Sequence, residues 1–134
     1  MRQIKFRAWD KEVNRMLFPT STIAFVLLYN GFARVESNLK CYPEGDFEFM
    51  QFTGLTDTDG KEIYEGDVVE WNIYPDDSKS GITSPKRIRD VVSFGMGCFK
   101  VEKRGEILGL KEPHRRLRVI GNIYENPELL TKAV

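Results

Sequence analysis

The chain has 134 residues, 41% apolar and 30% charged, with a formal net charge of zero. That composition excludes wholesale disorder and suits one domain, or two small subdomains, with a real core. The longest strongly apolar stretch, Ile23 to Leu28, is far short of the ~20 residues of a membrane span, and the start MRQIKFRAWD has no uninterrupted apolar segment of a secretory signal, so a cytoplasmic protein with no membrane partner is expected.

The first element is a strand near 3–9, where Ile4, Phe6 and Ala8 alternate with Lys5, Arg7 and Trp9 in the period of a half-buried strand. DKEVN is turn material, and RMLF can return as the second arm of a hairpin. STIAFVLL, Ser21 to Leu28, reads as strand on its β-branched and aromatic content; Asn30-Gly31 then turns the chain into FARVES, and YPEGD is a further turn. FEFMQF predicts a strand near 46–53 that is covered on both faces. Asp59-Gly60 signals a hairpin of type I′, in which both central residues need φ > 0, and Glu65-Gly66-Asp67 is a second reversal. A strand near 67–74 follows, and PDDSKSGITSPK has the content of an exposed loop. Strands near 88–94 and 98–103 flank a compact hairpin at Gly95-Met96-Gly97, and another strand is expected near 116–121. Asn126 as N-cap, Pro127 and Glu128 then open a short terminal helix. The expected core includes Phe6, Phe49, Val68, Trp71, Val92, Phe99, Val119 and Ile123.

Residue chemistry offers no catalytic, cofactor or metal constellation. Cys41 and Cys98 are too few and too far apart for zinc, and His114 is the only histidine, in the basic run KEPHRRLR of a solvated surface. The acid-rich stretch TDTDGKEIYEGDVVEW fails as a calcium loop, because Lys61 stands at the fifth position from Asp57 and Gly60 comes two residues early. Acids beside Gly at turn tips are expected to face water. Asp59, Gly60, Gly66 and Asp67 are therefore read as structural turn residues, with Gly60 and Gly66 supplying φ > 0.

The stretch MQFTGLTDTDGKEIYEGDVVEW (Met50 to Trp71) closely resembles the signature of the YopX family, small proteins of bacteriophages, prophages and related mobile elements. IKFRAWDKEVNRML (Ile4 to Leu17) and VIGNIYENPELL (Val119 to Leu130) resemble that family's ends. The resemblance implies a mainly β protein with an SH3-like barrel in its C-terminal part and a tendency to form oligomers; it implies no biochemical activity. Gly-Asp-Val-Val followed by strands, a long loop and a short terminal helix is independently the layout of small five-stranded barrels. A β-hairpin region, 1–49, and a barrel region with the helix, 50–134, are thus expected, able to form one compact unit.

Net neutrality hides segregation. Residues 44–77 carry eleven acids against Lys61 alone, and residues 79–118 carry eleven bases against four acids. Opposite fields can steer a polyanion or attract each other, within a chain or between subunits. The leading reading is a non-catalytic binding or regulatory protein that contacts itself and a phage or host protein, with the segregated charge contributing to self-association. The alternative is nucleic-acid binding through Lys86, Arg87, Arg89, Arg115, Arg116 and Arg118, with Phe94 or Phe99 as a stacking face.

Overall fold

Alternating apolar and charged side chains carry most of the described residues into antiparallel strands. The computed structural model describes residues 3–20, 23–27, 33–37, 47–73, 86–102 and 117–131. Strand β1 (Phe6–Asp10) returns as β2 (Arg15–Leu17) and pairs along its other edge with β5 (Phe47–Thr56), which continues to β6 (Glu62–Tyr64). The order of this first sheet is β2-β1-β5-β6. Strands β7 (Asp67–Ile73), β8 (Lys86–Gly95), β9 (Cys98–Val101) and β10 (Arg118–Asn122) form the second sheet, ordered β10-β7-β8-β9. Strands β3 (Ile23–Leu27) and β4 (Ala33–Ser37) make a two-stranded ribbon, and helix α1 is Glu128–Thr131. The protein is mainly β, and one of its sheets curves into a half-barrel.

All six strands placed by periodicity are present, and no end moves by more than three residues. Strand β5 crosses residue 50 without interruption, its first half paired with β1 and its second with β6. The larger apolar cluster joins Ile63, Val69, Trp71, Val92, Val101, Leu117 and Val119 between β6 and the second sheet. A smaller one gathers Ala8, Leu17 and Phe47, with Phe25 and Phe49 against it. Of the expected core, Val68, Trp71, Val92, Phe99 and Val119 are buried, while Phe6, Phe49 and Ile123 are half-buried.

Three sequence expectations are corrected. Strand β1 is buried on both faces from Arg7 to Asp10, because Trp9 stacks on Tyr124 while Arg7 enters the interior to meet an acid. The Asp59-Gly60 turn is not type I′. Only Gly60 has positive φ (82°), the Gly60 N–H donates to the Asp57 carbonyl at 3.1 Å, and the Asp57 N–H donates to the Lys61 carbonyl at 2.8 Å. That is the longer hairpin loop in which one left-handed residue follows an ordinary turn. Asp57 and Asp67, placed at turn tips facing water, are buried. The Asn126 side chain, just ahead of α1, accepts from the Asn122 N–H at 3.3 Å and fills space above Gly121. The Asn30-Gly31 and YPEGD turns, the 75–85 loop, Cys41 and His114 lie outside the described residues.

Candidate functional site

The most built polar constellation lies where β1 meets the chain between β6 and β7. Arg7 projects from β1, and Asp67 is the first residue of β7. Arg7 Nη2 lies 2.7 Å from Asp67 Oδ1, with side chains only 7% and 2% exposed. The guanidinium carbon stands 4.7 Å from the centre of the Tyr64 ring, a cation–π contact. The other Asp67 oxygen accepts the Tyr64 N–H at 2.8 Å, so one carboxylate both closes the Tyr64–Asp67 reversal and holds Arg7. Burial raises the Asp67 carboxyl above the usual carboxylate range, outweighing the pull of Arg7.

Next to this pair, the Tyr64 hydroxyl donates to Glu62 Oε2 at 3.1 Å, and Lys5 pairs with the other Glu62 oxygen while lying over Phe52. Burial, helped by the bond to Glu62, pushes Tyr64 up to about 12; the Lys5 hydrogen bond draws Glu62 down. A phenol held so far above neutral pH stays protonated and cannot serve as a base. Each carboxylate here is already spent on a cation and a hydrogen-bond donor. The arrangement is a clamp between the first sheet and β7.

Two further points tie the ends of the chain to it. Gly66 sits at φ 88°, donates its N–H to the Val92 carbonyl at 2.8 Å and accepts from the Ile123 N–H at 3.0 Å. A Cβ at Gly66 would lie 3.1 Å from Met50 Sδ. Asp57 Oδ1 accepts from the Asp59 and Lys61 N–H groups at 2.8 and 2.9 Å, and its Oδ2 reaches the Val119 N–H at 2.9 Å. The stretches at residues 4–17, 50–71 and 119–130 therefore meet in one place, in contacts that build the fold.

The basic candidates lie elsewhere. Arg87 and Arg89 both reach Glu70, Nε to carboxylate, at 3.4 and 3.0 Å, and Arg118 reaches Asp59 at 3.2 Å. Lys86 is exposed at the start of β8, and Arg115 and Arg116 lie outside the described residues. Among the described residues no group of three or more His, Cys, Asp or Glu could hold a metal, and no helix is long and apolar enough to cross a membrane.

Sequence reasoning missed the role of Arg7, which reads as an outward charge in an alternating strand. The compact hairpin expected at the β8–β9 tip is present, but sequence reasoning did not foresee the exposure of its apolar side chains. There Met96 is 97% exposed and Phe94 52% exposed, with Met96 at φ 51° and Gly97 at φ 79°. Gly95 pairs with Cys98, so this is a two-residue hairpin with both central residues left-handed, the type I′ geometry. A methionine where Asn or Gly is favoured was the available signal.

Structural and sequence comparisons agree with this layout. A crystal structure of protein yopX from Bacillus subtilis is similar over 100% of both chains, with a TM-score of 0.68 and 23% identity. Protein EF1440 from Enterococcus faecalis is similar over 97% of this chain and 99% of its own, with a TM-score of 0.57 and 27% identity. No curated protein matches. The family model described as YopX protein matches residues 5–131, nearly the whole chain, and the chain belongs to that family.

Proposed function

We propose that this is a phage- or prophage-encoded, non-catalytic binding or regulatory protein of the bacterial cytoplasm that acts through protein contacts, beginning with copies of itself. The observation that carries this reading is the β8–β9 tip. A non-glycine residue in the left-handed region costs on the order of 1 kcal/mol, and Met96 bears that cost with its side chain almost wholly in solvent. The fold gains nothing from that side chain, so its use lies outside the subunit. Phe94, in an edge-to-face pair with Phe99 at 5.0 Å, gives the tip a second apolar surface. Methionine and aromatic residues are the types enriched at protein interfaces.

Supporting the non-catalytic part, the polar side chains of the shared stretches close on one another in the Arg7–Asp67 clamp. A free Cys98 suits a reducing compartment. Residues 50–134, with the second sheet at their centre, are read as the SH3-like barrel region and residues 1–49 as the hairpin region, joined into one unit through β5.

Sedimentation of the wild-type chain and of the double variant Phe94→Ser, Met96→Ser tests the reading. The wild type is expected to sediment as an oligomer, and the variant, still folded by circular dichroism, at a lower mass. Unchanged sedimentation of the variant would remove the tip from the account.

A further inference from the structure

Besides the tip, the second sheet presents one charged face whose layout fits a partner. Cross-strand neighbours of an antiparallel sheet project from the same side. Arg118 on β10 stands opposite Glu70 on β7, which stands opposite Arg89 on β8, and Asn72 opposite Arg87 forms the next row on that side. Three arginines are thus gathered on one outward surface. They meet two carboxylates: Glu70 is shared by Arg87 and Arg89, and Asp59 holds Arg118. Three arginines against two carboxylates leave the surface a positive excess.

The contacts are incomplete in a telling way. Each is made through Nε, while Arg87 and Arg118 keep 61% and 63% of their side-chain surface exposed. A guanidinium carries five donors, and a bidentate carboxylate bond uses a pair of them. The outer donors of these two arginines therefore face solvent. Glu70, only 18% exposed, sits at the centre of the group.

We propose that this face binds an acidic peptide segment of a partner protein, whose carboxylates engage Arg87, Arg89 and Arg118, and that Glu70 is the internal competitor holding the arginines in place when the partner is absent. Charge complementarity carries the choice of occupant. Single-stranded nucleic acid fits less well, because its groove-bound bases stack on aromatic rings, and Asn72, Glu70 and three arginines offer none. The inference rests on the protein-contact reading and names a partner for a surface separate from the apolar tip.

The test measures fluorescence anisotropy of a labelled oligoglutamate peptide, and of an oligothymidylate of equal charge, with the full chain at low salt. Wild type should bind the peptide weakly. Glu70→Gln should tighten binding about threefold by removing the competitor, and the double variant Arg87→Gln, Arg89→Gln should weaken it about tenfold. Glu125→Gln, an exposed acid at the end of the second sheet, changes net charge equally and should leave binding unaltered. Arg118→Gln, at an exposed site, gives a second weakening variant that spares the β8 pairs. Absence of peptide binding by both wild type and Glu70→Gln would overturn the proposal, as would equal tightening by Glu125→Gln. Tighter, arginine-dependent binding of the oligothymidylate would replace the acidic peptide by nucleic acid. Each of these failures leaves the tip-dependent association untouched and separately measurable.

Discussion

At the residue scale, the decisive groups are charged side chains removed from water. Arg7 and Asp67 are both buried, and breaking such a pair by removing one partner leaves an uncompensated charge. Arg7→Leu is expected to destabilise the protein by about 3–5 kcal/mol in urea denaturation. A loss below ~1 kcal/mol would mean that the clamp does not hold the sheets. Tyr64 gives a pH test. Its hydroxyl titrates near 12 in the folded protein against an ordinary value of 10.0. The contribution is therefore fully present below pH ~10 and is lost as pH rises through 12. Tyr64→Phe should flatten the alkaline fall in melting temperature over that window; an unchanged slope would remove Tyr64 as its source. Little of this was legible in the sequence. Alternation in IKFRAW assigns Arg7 outward, because periodicity reports faces and cannot see a partner sixty residues away. Asp57 was misread for the same reason: its short side chain binds its own turn, as expected of such residues, but its second oxygen reaches β10.

At the scale of elements, strands and turns were readable because their causes are local. Val-rich alternation sets β7 and β8, and glycines set the reversals. What local signals could not give was turn type. Asp59-Gly60 carries the strongest two-residue hairpin signal, yet the side chain of Asp57 binds the N–H groups of Asp59 and Lys61 and selects the longer loop. Gly60 and Gly66 share a positive φ but differ in surroundings, open space at one and Met50 at the other. Gly60→Val should cost about 1 kcal/mol from backbone strain alone and Gly66→Val about 3 kcal/mol, compared by denaturant midpoints. Equal costs would mean that the Met50 contact relaxes freely. The β8–β9 tip behaves in the opposite sense. Met96→Asn supplies a residue favoured in a left-handed turn and should raise stability by about 0.5–1 kcal/mol while weakening association. That trade of association for stability is expected where a residue is kept for function. A rise in stability with association intact would show Met96 to be idle.

At the scale of the whole molecule, three separated stretches of sequence converge on Gly66, Asp67 and Arg7, and among the described residues part of the segregated charge pairs inside one subunit. Glu70 meets Arg87 and Arg89, and Asp59 meets Arg118. Solvent-facing pairs such as Arg118–Asp59 are worth only ~0–1 kcal/mol each, so they add little to stability. We propose that apolar contact at the tip supplies most of the self-association, with the segregated charge expected from sequence in a lesser role. Sequence revealed the two charge blocks and could not show that β7 and β8 set them side by side. Light scattering of the wild-type chain at micromolar concentration, in low and in high salt, separates these pictures. An oligomer whose mass is little changed by salt is the result this account predicts; a monomer in both conditions would contradict it.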